Sequence, residues 1–164
     1  MKNYTYVDLF AGAGGLSLGF GNAGFELEFA NDIAKEAVDT FRHNLKTTHE
    51  NLNQNRVIHG DIIELYEHLG TSKVENMPLG HITVETDKEI NLRKKAPGIK
   101  DDKNIKAVLA GIDTVDVLAG GPPCQGFSMI GRSKKASAED RMRGFVDDPR
   151  NQLFRYFLKF AEKL

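Results

Sequence analysis

A chain of 164 residues is long enough for one domain with a sizeable core and short for two. With 40% hydrophobic and 27% charged residues it has an ordinary water-soluble globular composition, and no apolar run approaches the roughly 20 residues of a membrane span. The amino end carries no signal-peptide pattern, because Asp8 interrupts it before a long apolar stretch forms. The formal charge of −1 excludes a global basic footprint for nucleic acid, so any DNA or RNA contact is local or made by something outside this chain. The single cysteine excludes an internal disulfide and fits a reducing compartment, and the five scattered histidines lack the paired spacing of a zinc site; no metal is expected.

Along the chain, Tyr4–Phe10 reads as a strand, and the glycine-rich turn Ala11–Gly15 leads into a short helix ending near Gly24. Phe25–Ala30 reads as a second strand closed by Asn31-Asp32. Ile33–Leu45 reads as a helix with Ile33, Ala37, Val38, Phe41 and Leu45 on one face. Arg56–His59 is a short third strand, followed by Gly60-Asp61-Ile62 and a brief helix to Gly70. This rhythm predicts an α/β fold, a doubly wound parallel sheet with right-handed crossovers.

Residues 71–104 break the rhythm and read as an insertion, with a partly alternating segment from His81 to Arg93 and a solvated basic run, Arg93-Lys94-Lys95. The pattern resumes with a helix near Lys103–Ala110 and an apolar strand containing Val115, Val117, Leu118 and Ala119. The polar, basic stretch at about 125–147 reads as a mobile loop of the kind that closes over substrates. Arg150–Leu164 reads as a helix with Leu153, Phe154, Phe157, Leu158, Ala161 and Leu164 facing a core.

Chemistry concentrates at the strand ends. In Gly120-Gly121-Pro122-Pro123-Cys124, two glycines and two prolines fix the backbone, so the only cysteine sits at a stiff bend after a strand, where an α/β enzyme places a nucleophile. After the first strand, Gly12-x-Gly14 is followed by Ser17 where the dinucleotide fingerprint needs a third Gly or Ala, which argues against a nucleotide-dependent oxidoreductase. A phosphate-binding P-loop fails too, because Phe20-Gly21 replaces Lys-Ser/Thr. What remains is a turn that lets a ligand approach backbone. Asp32, about 20 residues on, is placed to accept from ribose hydroxyls, and Asp61 to accept from an exocyclic amine. Taken singly, each acid is more often a helix cap or turn residue, but acids at consecutive strand ends are harder to dismiss.

The blocks Val7–Ser17, Asn31-Asp32, Gly60-Asp61-Ile62, Gly120–Ser128 and Asp148–Phe154 resemble, in order, those of the DNA (cytosine-5) methyltransferase family. The resemblance covers most of the chain outside 71–104 and implies a Rossmann-like S-adenosylmethionine-dependent fold. It implies cofactor binding by Phe10, Ala11, Gly12, Asp32, Ile33, Asp61, Ile62, Pro123 and Leu153, with Ile33 and Ile62 flanking the adenine ring. It implies Cys124 as nucleophile toward carbon 6 of a flipped cytosine, with Gln125, Ser128 and Arg132 on double-stranded DNA. A prokaryotic cytoplasmic protein of a restriction-modification system is the implied setting, with no membrane partner.

Family members continue past this point with a Glu-Asn-Val block, an Arg-x-Arg block, a target-recognition domain and a returning helix, none of which occurs in these 164 residues. The expectation is therefore the amino-terminal part of a catalytic domain, truncated or completed by a second chain, inactive alone and with the strand before Cys124 left as an apolar edge. Alternatives within the same blocks are a transfer-RNA cytosine-5 methyltransferase and an S-adenosylmethionine-binding subunit that docks to a partner.

Overall fold

The computed structural model describes residues 3–48, 54–69, 98–99, 102–112, 114–123 and 153–164. In chain order these form β1 (Thr5–Leu9), α1 (Gly15–Asn22), β2 (Glu26–Asp32), α2 (Lys35–Thr48), a 3-10 turn (Gln54–Arg56), β3 (Val57–His59), α3 (Ile62–His68), α4 (Asp102–Leu109), β4 (Val117–Gly120) and α5 (Leu153–Lys163). The four strands make one parallel sheet in the order β3-β2-β1-β4. The chain winds outward from β1 to β3, then crosses back to β4 on the far side of β1. The topological switch point, where ligands of open α/β sheets bind, therefore lies between β1 and β4. The α/β doubly wound fold predicted from sequence is the fold observed.

The sheet separates two apolar layers, because alternate side chains of a strand face opposite sides. Val7, Leu9, Phe29 and Ile58 pack with Ile62, Ile63 and Leu65 of α3, Ile105 and Leu109 of α4, and Tyr156 and Phe160 of α5. Tyr6, Leu27, Ala30 and Val57 pack on the opposite side with Val38, Phe41 and Leu45 of α2. Within the first layer the Phe160 ring meets Phe29 and Tyr66, and the Tyr156 ring meets Tyr66 edge-on.

Two helix faces differ from the sequence reading. Ile33 lies outside α2 and is 48% exposed. Asp32 Oδ1 accepts from the Ala34 amide at 2.8 Å, a local turn that delays the helix to Lys35 and swings Ile33 outward. In α5 the buried residues are Tyr156 and Phe160, with Leu153, Phe157 and Leu164 at their flank, whereas Phe154, Leu158 and Ala161 are exposed. Two stripes of α5 share the helical spacing, and the one carrying the larger aromatic area is turned inward.

Among the described residues β4 forms one edge of the sheet, with all four of its residues half-buried. No described helix is long and apolar enough to cross a membrane.

Candidate cofactor-binding site

Because the sheet is parallel, every strand delivers its carboxyl end to the same side. Leu9 pairs with Asn31 and Gly120, and Asp32 pairs with His59. The Phe10–Gly14 turn, the Asp32-Ile33 corner, Gly60-Asp61 and Gly121–Pro123 therefore emerge side by side. Residues that sequence reading selected from separate blocks share one rim.

The turn after β1 is unusual backbone. Phe10, Gly12 and Gly14 have φ of 57°, 56° and 85°. For Phe10 this left-handed conformation is strained by about 1 kcal/mol or more, and surrounding contacts must hold it. Four hydrogen bonds do so. The Ala11 amide donates to the Asn31 carbonyl at 3.0 Å, the Gly12 amide to Asp32 Oδ2 at 2.8 Å, and the Gly14 amide to the Ala11 carbonyl at 3.0 Å. The fourth leaves the turn, from the Leu18 amide to the Gly14 carbonyl at 2.9 Å, and begins α1. Gly14 is pressed against Phe41, since a Cβ there would stand 2.4 Å from that ring. At Gly12, by contrast, no atom of the described residues lies within 4 Å of where a Cβ would be.

Asp32 is half-buried, and its two oxygens bond the Gly12 and Ala34 amides. Each carboxylate oxygen has a second lone pair, so Asp32 retains capacity for two hydroxyl donors. Ile33 presents its apolar side chain beside it. His59 Nε2 holds the Ile33 carbonyl at 3.1 Å, fixing that corner to the end of β3. Asn31, 1% exposed, ties the same corner to the turn after β3 by donating from Nδ2 to the Gly60 carbonyl at 2.9 Å.

Asp61 is 6% exposed and caps α3, its Oδ1 accepting from the Ile63 amide at 3.1 Å. The capping role that sequence alone left open is thus present. Ile62 is 3% exposed and belongs to the core, so only Ile33 of the two expected ring-flanking isoleucines offers side-chain surface. Pro123 is half-buried, and Leu153, at the start of α5, packs against the core layer under this rim. Cys124, Gln125, Ser128 and Arg132, the loop at about 125–147 and all of 71–97 lie outside the described residues.

β4 meets β1 at close quarters where the cysteine turn begins. The Gly121 amide donates to the Leu9 carbonyl at 3.3 Å, and a Cβ on Gly120 would stand 2.2 Å from that same oxygen. Only glycine permits this approach, which sets the start of the Pro-Pro turn against the glycine turn of β1.

Two residues escaped the sequence reading of the site. Asp8, in the middle of β1, is 1% exposed and bonds the hydroxyl of Ser17, itself 2% exposed, at 2.6 Å. Burial pushes the Asp8 carboxyl above the ordinary carboxylate range, opposed by its hydrogen bonds from the Ser17 hydroxyl and amide. An acid inside the otherwise apolar Tyr6–Leu9 run was the available signal.

The arrangement suits a ligand carrying a ribose and a flat ring: a carboxylate beside a backbone-lined opening, with an exposed isoleucine next to it. A sequence profile described as C-5 cytosine-specific DNA methylase matches residues 4–73 and 84–164. The chain is 37% identical over 158 residues to the type II methyltransferase M1.HphI of Haemophilus parahaemolyticus, covering 96% of this chain and 29% of that protein. It is 30% identical to a DNA-cytosine methyltransferase of Escherichia coli strain K12, covering 92% of this chain and 25% of that protein. It is also 30% identical to the DNA (cytosine-5-)-methyltransferase M.ApeKI of Aeropyrum pernix, over 100% of this chain and 27% of that protein. The chain thus spans between a quarter and three tenths of the length of these curated relatives. With the profile matched along nearly its whole length, the chain belongs to the C-5 cytosine-specific DNA methylase family.

Proposed function

We propose that this chain is the cofactor-holding, nucleophile-bearing part of an enzyme that methylates carbon 5 of cytosine in DNA. The observation that carries the reading is the contact of β1 and β4 at the switch point, where the glycine turn and the Pro-Pro turn start side by side from Leu9 and Gly120. Asp32 receives the ribose hydroxyls, Ile33 covers one face of the adenine, and Phe10, Ala11 and Gly12 line the approach. Asp61 and Pro123 complete the rim, while Ile62 and Leu153, expected there from sequence, support it from the core layer. When bound, S-adenosylmethionine supplies an electrophilic methyl group on a sulfonium.

Cys124 begins the reaction as a thiolate. A free thiol, of pKa near 8.5, is ionised to a few per cent at neutral pH, and nearby donors raise that share. Its sulfur bonds carbon 6 of a cytosine flipped from the duplex, and the ring electrons move to carbon 5, which would take the methyl group as the methyl–sulfur bond of the donor breaks and S-adenosylhomocysteine leaves. Loss of the carbon 5 proton to a base then returns the electron pair, restores the double bond and expels the Cys124 thiolate. Gln125, Ser128 and Arg132 hold the DNA as the following loop closes over the flipped base.

The names of the Escherichia coli and Aeropyrum pernix relatives specify DNA, which favours DNA over transfer RNA, and the type II designation of M1.HphI supports a restriction-modification setting. Their three- to fourfold greater length supports a requirement for further residues, from the same or a second polypeptide, including the acid that assists the cytosine ring.

Covalent trapping tests the reading. The chain, joined to the remaining portion carried by a relative, is incubated with a duplex containing 5-fluorocytosine, which has no carbon 5 proton to lose. An adduct that requires S-adenosylmethionine and disappears in Cys124→Ser is expected. An equal adduct from Cys124→Ser contradicts the proposed role of the thiol. The 164 residues alone are expected to transfer essentially no methyl, and robust turnover by them would overturn the requirement for a further portion.

A further inference from the structure

Ser17 occupies the position at which the chain departs from the dinucleotide fingerprint, and its surroundings give that departure a purpose. The helix α1 starts at Gly14, whose left-handed backbone carries no side chain to cap the free amides of the first turn. β1 reaches this first turn through Asp8, whose Oδ2 accepts the Ser17 hydroxyl at 2.6 Å. A carboxylate at a helix amino end is favoured by the local dipole as well as by the hydrogen bonds. Ser17 is held a second way, because the buried Tyr6 hydroxyl donates to its carbonyl at 3.2 Å.

The two ends of the glycine turn are thereby clamped by different acids. Asp32 holds it at Gly12, and Asp8 holds the helix into which it runs. Among the described residues Asp8 Oδ1 has no partner, although it is fully enclosed. An apolar pair would fill this space without leaving an oxygen unsatisfied, so stability alone does not explain the pair.

We infer that Asp8 and Ser17 form a buried latch that fixes the strained Phe10–Gly14 turn in its ligand-receiving shape, with Ser17 a positioning residue for cofactor binding. The latch rests on the cofactor reading of the turn given above. It acts on the turn through α1 and touches no reacting atom. Removing the Ser17 hydroxyl takes away the hydrogen bond that ties α1 to Asp8, frees the first turn of α1 to shift, and releases the left-handed residues that the latch holds.

The test is a double-mutant cycle of Ser17→Ala, Asp8→Asn and the pair, read by amide hydrogen exchange and by calorimetric titration with S-adenosylhomocysteine. In Ser17→Ala, exchange at Gly12, Gly14 and Gly15 is expected to quicken about tenfold relative to Phe29 in the core of β2, with affinity falling by a similar factor. The double variant should add little to Ser17→Ala, because the two residues act as a unit. Should Ser17→Ala fail to fold, Asp8→Asn alone is expected to quicken exchange at the same glycines. Uniform exchange changes, with Phe29 following the turn, would show a merely structural role and overturn the latch, as would additive effects in the cycle. A turn loosened by Ser17→Ala, when the wild-type chain binds no S-adenosylhomocysteine, would keep the latch and defeat the cofactor reading. A binding wild type whose turn is indifferent to Ser17 would do the reverse.

Discussion

The Gly12 amide donates to Asp32 Oδ2 at 2.8 Å, joining the turn after β1 to the corner after β2 across 20 residues of sequence. With Oδ1 on the Ala34 amide, one carboxylate organises both the opening of the glycine turn and the entry to α2. Asp32→Ala abandons both donors and is expected to cost about 1–3 kcal/mol of stability. Asp32→Asn keeps one accepting oxygen and should lose less. Thermal unfolding ranks the two, and titration with S-adenosylhomocysteine should show affinity falling in the same order.

The glycines separate by what surrounds them. Gly120→Ala drives a Cβ into the Leu9 carbonyl, which cannot yield without parting β1 from β4, so failure to fold or the largest loss of the set is expected. Gly14→Ala meets the Phe41 ring and a φ of 85°, so Phe41→Leu should relieve the clash but leave the backbone strain. Gly19, inside α1 with nothing near its Cβ position, should accept Ala with a gain of about 0.5–1 kcal/mol. Urea unfolding of the three variants checks this order.

Titration of Asp8 should be visible in stability. Its carboxyl is raised in the folded chain, so the folded state binds more protons than the unfolded state between the ordinary carboxylate pKa and the raised value. Stability contributed by this group is therefore present at low pH, falls as pH rises through that window, and is flat above it. Enclosure is the main cause; Asp32 adds repulsion, while the Ser17 hydroxyl and amide oppose the rise, and Tyr6 shares the enclosure. Asp8→Asn should remove this slope. The difference between the two urea-unfolding pH profiles isolates it from the surface carboxylates, and parallel profiles would contradict the assignment.

The inward face of α5 gives a contrast between two phenylalanines six residues apart. Phe160→Ala removes a fully buried ring from contact with Phe29 and Tyr66 and is expected to cost about 3–5 kcal/mol. Phe154→Ala, at a 41% exposed position, should cost far less. Chemical denaturation of both variants distinguishes this face from the one the sequence pattern suggests.

Much of the site was legible in the sequence because its parts lie where strands end, and strand ends announce themselves through turn residues. Asp32, Asp61 and the glycine turn could be placed on one rim once the βαβ rhythm predicted a parallel sheet. Sequence pattern selects the wrong face of α5, because Phe154 and Leu158 repeat at the helical period as well as Tyr156 and Phe160. Ile33 was drawn into α2 because periodicity ignores the Asp32 side chain, whose bond to the Ala34 amide moves the helix start. The partnership of Asp8 with Ser17 depends on a close approach between β1 and α1 that spacing does not encode.

The central claim is that the carboxyl ends of β1 and β2 receive S-adenosylmethionine, with Asp32 on the ribose. An amide shift titration of the chain with that compound, repeated on Asp32→Ala, tests it most directly. Saturable shifts confined to Phe10, Ala11, Gly12, Asp32, Ile33 and the Gly60–Ile62 turn, and lost in Asp32→Ala, are expected. Absence of saturable shifts, or shifts centred on the outer faces of α3 and α5 and indifferent to Asp32, would contradict it.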